Sequence, residues 1–338
     1  MSKSLKAAII GLGVGERHIN GYDSHPECEV KTICDFDENK LSEVSQRYPE
    51  KNVTKYARDI FNDDEINIVS VASFDNYHSE QVISALNSNK NVFVEKPLCL
   101  HRNEYKEILD TLKRNPNLKI SSNLILRKTP RFIQLKNRVL KNKLGKPYLF
   151  ESSYDYGRLN KILDGWRGDI PFYSVTHGGG IHLIDLMMWI SGNNIIKVFA
   201  KGNNISTKET NFRHYDCVQA LLTFEDGSIG HVISNYSSVT PHGHKLSIYG
   251  TKGTFNHGPF GCCYFWNRNK DSEPEIINDP YPGTQKGDMI PSFVDHIFNK
   301  DIEPSVTTQS VLNTMTVSLA IEESLNTDKE VIVPYPII

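Results

Sequence analysis

The sequence is poor in the features that mark out specialised classes of protein. Cysteine is scarce, with six residues in a chain of 338. They are Cys28, Cys34, Cys99, Cys217, Cys262 and Cys263. None forms a C-x-x-C pair, and no Cys/His cluster has zinc spacing, so neither a disulfide framework nor a metal site is expected. Adjacent Cys262 and Cys263 read as neighbours on opposite faces of a strand rather than as a redox pair. Free thiols in a long chain suit a reducing, cytoplasmic setting. Charge of one sign is also lacking. The formal net charge is −2, which excludes a global pull toward nucleic acid or an anionic membrane. No apolar stretch approaches the length of a membrane span. Lys3 and Lys6 precede the apolar run 7–14 in the manner of a leader, but glycines break that run. Glu16-Arg17-His18 then follows without a small-residue cleavage site, so the run reads as a buried first strand. Internal repeats and low-complexity segments are missing as well.

What is present is ordinary globular composition, 38% hydrophobic and 23% charged, in a chain long enough for two domains. Over residues 1–125 short apolar runs alternate with stretches of helical periodicity. Strands are expected at 6–10, 30–34, 66–72, 91–94 and 118–122. Helices are expected at about 16–24, 38–47, 79–87 and 104–114. Such alternation implies βαβ units, a parallel sheet and a doubly wound fold. The pattern changes over residues 126–338. A helix at about 131–143 stops at Gly145-Lys146-Pro147. Longer strands follow at 148–156, 196–201, 217–224, 228–238 and 246–249. Two of the connections are the tight turns Glu225-Asp226-Gly227 and Thr251-Lys252-Gly253. Hairpins of this kind predict a mostly antiparallel sheet. Helices are expected at about 180–189 and 309–326.

Gly11-Leu12-Gly13-Val14-Gly15 lies directly between the first strand and the first helix. Glycines permit a tight turn and close approach to a pyrophosphate, and the N–H groups opening a helix favour its charge. Asp35 ends the second strand 24 positions after Gly11, near the ~20 expected of the carboxylate that binds adenosine ribose hydroxyls. That carboxylate repels a 2′-phosphate, and no Arg adjoins it, so NAD is expected rather than NADP. The third glycine falls at Gly15, one position early, with Glu16 in its usual place. The first helix is therefore expected to start or pack differently.

Val94-Glu95-Lys96-Pro97-Leu98 follows the fourth strand. Gly178-Gly179-Gly180-Ile181-His182-Leu183-Ile184-Asp185 and Tyr249-Gly250-Thr251-Lys252-Gly253 lie further along. With the glycine loop and Asp35, this ordered set resembles the glucose–fructose oxidoreductase/inositol dehydrogenase (Gfo/Idh/MocA) family over nearly the whole chain. The resemblance implies a Rossmann domain, residues 1–125. A C-terminal α+β domain of substrate binding and oligomerisation, residues 126–338, would be built on a large, mostly antiparallel open sheet. It implies homodimers or homotetramers packed through that sheet. The implied activity is NAD(P)-dependent oxidation or reduction of sugars, inositols or nucleotide sugars. It places Ser73 and His78, in the segment after the third strand, beside the nicotinamide. Gly11, Gly13, Val14, Gly15, Asp35, Glu95 and Lys96 complete the expected cofactor residues.

Hydride transfer needs a group to take the hydroxyl proton and a cation to steady charge on oxygen. The resemblance assigns these to Lys96 and His182. Lys96 sits at a strand's carboxyl end, where burial and nearby charges could lower its proton affinity. A cis bond before Pro97 is compatible with the pattern. His182 titrates near neutrality, and Asp185, at i+3, either orients it or pairs on the surface. Many members carry Asp four residues before this histidine; here that position is Gly178, preceded by His177. Either His177 takes part of that work or the mechanism rests on Lys96 and His182. Arg127, Trp166, Arg167, His177 and Asp185 are the expected substrate contacts, with core packing the alternative for Trp166. Two other functions fit the same motifs: a glycosidase that retains and recycles NAD, and a non-enzymatic NAD-binding regulator.

Overall fold

The computed structural model describes residues 4–337. They form two compact units. The first comprises the chain up to Ile125, the segment Gln285–Asn313 and the last residues from Pro336. The second comprises Leu126–Thr284 and Thr314–Tyr335. From the sequence, residues 126–338 are expected to form one continuous domain, whereas the chain returns to the first unit near its end.

Among the described residues, the first unit holds a six-stranded parallel sheet of β1 (Leu5–Ile10), β2 (Cys28–Cys34), β3 (Asn52–Thr54), β4 (Ile68–Val71), β5 (Asn91–Val94) and β6 (Ile120–Ser122). Its order is β3-β2-β1-β4-β5-β6. The order reverses between β1 and β4, and a sheet of this type binds ligands beyond the carboxyl ends of its strands at that point. Helices α1 (Glu16–Asp23), α2 (Glu38–Arg47), α3 (Ala57–Phe61), α4 (His78–Asn87) and α5 (Arg102–Arg114) fill the crossovers. Asp37 starts α2 by accepting from the N–H groups of Asn39 and Lys40, a standard N-cap. Strands β1, β4 and β5 read as nearly unbroken apolar runs because the sheet is covered on both faces; Ala7, Ala8, Ile9, Val69, Val71 and Phe93 are fully buried.

The returning segment has a clear physical role. Ser121 Oγ donates to the Val306 carbonyl, and Thr308 Oγ1 both accepts from Ile120 N–H and donates to the Ile120 carbonyl. These bonds satisfy the open edge of β6, which would otherwise present unpaired backbone groups.

The second unit carries a mixed sheet. Its strands are β7 (Pro147–Asp155), β8 (Ile195–Asn203), β9 (Cys217–Phe224), β10 (Ile229–Asn235), β11 (Gly243–Gly250), β12 (Thr254–Gly258), β13 (Gly261–Phe265), β14 (Glu275–Ile276) and β15 (Val331–Ile332). Their order is β14-β13-β12-β11-β7-β10-β9-β8-β15. All pairs are antiparallel except β7 with β10. Alternation along the strands separates two faces. Phe150, Ser152 and Tyr154 of β7, Val232 and Ser234 of β10, and Leu246 and Ile248 of β11 are buried, whereas Leu221 and Ile229 are 56% and 55% exposed. The unit's helices are α6 (Pro130–Leu140), the short α7 (Asn160–Leu163) and α8 (Trp166–Asp169), and α9 (Ile181–Ser191). Helix α9 ends at Gly192 in the left-handed conformation, φ +71°, the usual role of a glycine after a helix. Helix α10 (Ile290–Phe298) belongs to the first unit, and residues of α11 (Thr308–Thr327) belong to both.

Candidate active site

In the first unit the glycine loop shows why each glycine is where it is. Gly11 has φ +89°, and a Cβ there would stand 2.5 Å from the Ala72 carbonyl oxygen of the strand across the switch point. At Gly15 a Cβ would meet the Gly11 oxygen at 2.1 Å and Ile9 at 2.7 Å. Gly15 therefore seats α1 on β1, the packing work of a third glycine, and α1 begins at the next residue. Gly13 differs: nothing lies within 4 Å of a Cβ there. Open backbone at that position is what a pyrophosphate needs in order to approach. Val14, beside it, is 38% exposed.

Asp35 braces the loop from β2. Its Oδ2 accepts from Leu12 N–H at 2.7 Å and its Oδ1 from Asp37 N–H at 2.9 Å. An ionised carboxylate has about four acceptor sites, so these bonds leave capacity for a ribose diol. Phe36 follows, 66% exposed and edge-on to Phe74 at 5.8 Å. These two rings form an apolar flank suited to a nucleobase. Neither ring is among the residues expected from sequence to bind the cofactor, although a bulky aromatic directly after the strand-end Asp is a visible signal. The residues present thus fit a dinucleotide.

Ser73, His78 and Glu95, expected to face the cofactor, use their side chains elsewhere. Ser73 Oγ donates to Gln81 Oε1 at 2.7 Å. The fully buried His78 ring sets Nδ1 2.6 Å from the Pro97 carbonyl and Nε2 3.1 Å from the Ser73 carbonyl. His78 thereby ties the segment after β4 to the segment after β5. Glu95 points into the core, where Asn123 Nδ2 donates to Oε1 at 2.7 Å and His18 Nε2 lies 3.3 Å away. Burial opposes ionisation of Glu95. The positive charges of Lys286, His18 and Lys96 and the His18 hydrogen bond outweigh it and hold the carboxyl well below the usual range. Lys96 is half-buried, and the Lys96–Pro97 bond is cis.

In the second unit a π-helical turn, Thr176–Gly180, leads into α9. Its glycines lie flush on the sheet. A Cβ at Gly178 would meet the Tyr173 and Tyr236 hydroxyls at 2.2 and 2.6 Å, one at Gly179 the Tyr154 ring at 2.3 Å, and one at Gly180 the Ser234 hydroxyl at 2.2 Å. This contact delivers His182, 5% exposed, to a group of aromatic and histidine rings. The His244 ring stands perpendicular to it with centroids 5.9 Å apart. His244 Nδ1 lies 2.5 Å from the Tyr281 hydroxyl, and Tyr154 OH lies 3.1 Å from His242 Nε2. Tyr156 stacks on Tyr236 at 4.3 Å. Further out, burial and the charge of Arg131 push His257 down to about 4, so it is neutral at physiological pH. Tyr173, Tyr236, Tyr281 and His257 escaped the sequence reading because they come from four separate segments.

The expected substrate contacts sort into two groups. Arg127 and Asp185 face one another: Nε donates to Oδ2 at 2.9 Å and Nη2 to Oδ1 at 2.6 Å, with Thr314 Oγ1 also donating to Oδ1. Both are buried. A bidentate pair satisfies both charges, which makes them a brace across α9 rather than groups presented to a ligand. His177 is likewise fully buried, with Nδ1 2.7 Å from Ser318 Oγ. Trp166 and Arg167 are half-exposed on α8, with the guanidinium 4.5 Å from the indole centroid. Among the described residues, no group of His, Cys, Asp and Glu could hold a metal ion, and no helix is long and apolar enough to cross a membrane.

Two family models match the chain. Residues 5–123 match the GFO/IDH/MocA oxidoreductase family, NAD-binding Rossmann fold, and residues 132–256 match the GFO/IDH/MocA C-terminal domain. The oxidoreductase YrbE of Bacillus subtilis is 25% identical over 75% of this chain and 74% of its own length. Myo-inositol 2-dehydrogenase of Thermotoga maritima is 25% identical over 74% of each. Among solved structures, scyllo-inositol dehydrogenase of Lactobacillus casei with bound NAD(H) and scyllo-inositol superposes with a TM-score of 0.81 at 22% identity. That match covers 98% of this chain and 99% of the other. Myo-inositol 2-dehydrogenase of Lactobacillus plantarum gives 0.83 at 23%, over 98% and 100%. At such identities these structural likenesses establish the fold.

Proposed function

The chain belongs to the GFO/IDH/MocA family of NAD-binding oxidoreductases, and from that premise we propose that it oxidises a secondary hydroxyl of a cyclic polyol or sugar, or reduces the corresponding ketone. NAD, when bound, accepts or returns the hydride. The glycine loop would hold the pyrophosphate at the open backbone of Gly13, and Asp35 would take the ribose hydroxyls and turn away a 2′-phosphate. His182 receives the hydroxyl proton as the carbon is oxidised and gives it back in the reverse direction. Lys96 steadies the charge that develops on oxygen. Tyr154, His244, Trp166 and Arg167 surround the substrate ring. Arg127, Asp185 and His177 support α9 and the turn before it. The observation that carries this reading is the open backbone at Gly13, set between two glycines that have no room for a side chain and braced by Asp35.

Two further properties go with it. The outer face of the second sheet, on which Leu221 and Ile229 are exposed, is proposed to pair copies of the chain into dimers or tetramers. The six free cysteines suit work in the cytoplasm. A titration with NAD and with NADP, followed by cofactor fluorescence, tests the cofactor assignment. A screen of inositols and sugars for NADH formation tests the reaction. Binding of neither cofactor overturns the proposal. Release of a cleaved sugar without net NADH would replace it with a cofactor-recycling glycosidase.

A further inference from the structure

Arg131 anchors one side of the ring cluster in the second unit. It lies in the first turn of α6 and is 6% exposed. Nη1 stands 3.1 Å from His257 Nδ1, and Nη2 donates to the Asp279 carbonyl. An arginine can only donate, so His257 Nδ1 accepts and the proton of that neutral ring sits on Nε2. The same guanidinium lies 5.1 Å from the centroid of the Tyr281 ring. Tyr281 also meets the His257 ring at 4.6 Å and the Phe132 ring edge-on at 6.3 Å.

The short segment that carries Tyr281 is fastened on both sides. Before it, Arg131 holds the Asp279 carbonyl. After it, Gly283, with φ +63°, lies against the start of α6, where a Cβ would stand 3.0 Å from Pro130 Cδ. The hydroxyl is thereby set 2.5 Å from Nδ1 of His244, on β11. Burial pushes the Tyr281 phenol above its ordinary range, with the charge of Arg131 working against it, so the hydroxyl keeps its proton. Which ring nitrogen of a histidine carries the hydrogen is set by the bond made at the other. A phenol that donates to Nδ1 leaves the proton of the neutral imidazole on Nε2. The His244 ring itself belongs to the cluster, 4.9 Å from the Tyr154 ring and perpendicular to the His182 ring at 5.9 Å.

We propose that Tyr281 is a positioning residue that fixes His244 in its Nε2–H form, so that His244 presents an N–H donor to a hydroxyl or keto oxygen of the substrate ring. The inference rests on the proposed function and deepens it by dividing the labour between two histidines. With Nδ1 occupied by the phenol, neutral His244 has no accepting nitrogen left and does not compete with His182 for the substrate proton. It recognises an oxygen lone pair instead, which makes it a specificity residue. Arg131, His257 and Phe132 hold the tyrosine in register.

The test reads the tautomer directly. Full-length protein with isotopically labelled histidine is studied by long-range proton–nitrogen correlation at pH about 8, where an ordinary histidine is neutral. The pattern of cross-peaks distinguishes Nε2–H from Nδ1–H, and His244→Gln identifies the His244 signals by their loss. The unsubstituted protein should show the Nε2–H form. Tyr281→Phe keeps the ring on Arg131 and His257 but has no hydroxyl, and a share of the Nδ1–H form should appear in it. Nδ1–H as the main form in the unsubstituted protein overturns the inference whether or not the variant folds. An unchanged pattern in the folded variant overturns it as well. In turnover, Tyr281→Phe should raise KM for a polyol about 3- to 10-fold with kcat kept, the loss of one hydrogen bond made equally in ground and transition states. An unmoved KM overturns the donation to substrate. Failure of the unsubstituted protein to oxidise any polyol overturns the functional reading instead, and the spectrum still decides the tautomer.

Discussion

Gly178 and Tyr236 approach so closely that a Cβ on the glycine would stand 2.6 Å from the tyrosine hydroxyl oxygen, with the Tyr173 hydroxyl nearer still at 2.2 Å. The two hydroxyls are themselves hydrogen-bonded at 3.1 Å. Family resemblance leads one to expect a carboxylate four residues before His182, but paired phenols fill that space. Gly178→Ala should cost about 1–3 kcal/mol by overpacking, and Gly178→Asp more, since it also buries a charge. Denaturant unfolding measures both. Tyr173→Phe removes the nearer oxygen, so Gly178→Ala should cost less in that background. Equal costs in the two backgrounds would show that the hydroxyl is not the obstacle.

Asp35 braces the loop through Leu12 N–H and is proposed to select the cofactor. Asp35→Ser removes the negative charge and shortens the side chain. NAD affinity should fall about 10-fold or more, equivalent to ~1.4 kcal/mol for the loss of charge-assisted hydrogen bonds. NADP affinity should fall less or rise, because the repulsion of its 2′-phosphate is gone. Fluorescence titration with both nucleotides gives the ratio. A ratio that does not move toward NADP would confine Asp35 to a structural role.

The parts legible in the sequence were those whose partners are near in the chain. The glycine loop, the strand-end Asp35, Glu95-Lys96-Pro97 and the turn before His182 are local patterns tied to single strand ends or helix starts. Gly15 was recognised as displaced, but why it works there depends on Ile9 and the Gly11 carbonyl, which no spacing rule supplies. Arg127 and Asp185 were each singled out, yet not as partners of one another, because 58 positions separate them. The return of Gln285–Asn313 to the first unit left no periodic trace, so Lys286 went unnoticed. Strand β3 is three residues long with its only large apolar side chain, Val53, half-exposed. It forms because β2 offers an edge, not because its own residues favour a strand.

The Arg127–Asp185 brace makes a quantitative prediction. Removing one partner leaves the other charge buried and uncompensated, so Arg127→Met and Asp185→Leu should each destabilise by about 3–5 kcal/mol. The double variant Arg127→Met/Asp185→Leu should lose clearly less than the sum, because no orphan charge remains. Chemical denaturation of the four proteins completes the cycle. Single variants close to neutral would mean that water reaches the pair and screens it.

Glu322 gives the second unit a pH dependence of its own. Burial pushes its carboxyl up to about 7, in spite of a hydrogen bond from Ser174 Oγ. The same Ser174 oxygen accepts from His177 N–H at 3.1 Å, in the turn that leads to His182. The folded state therefore binds this proton more tightly than the unfolded chain, where a Glu titrates near ~4.3. Stability from this group is fully present below that value and is lost as pH rises toward about 7. Because the residue is only partly buried by surface area, solvent screening limits the loss to about 2 kcal/mol. Glu322→Gln cannot ionise and keeps the acceptor for Ser174. It should nearly match the unsubstituted protein at pH ~4 and exceed its stability by about 2 kcal/mol at pH ~8. Thermal or denaturant unfolding at the two pH values decides the matter. An equal gap between the two proteins at both values would place the titration of Glu322 in its ordinary range and remove its influence on the His182 turn.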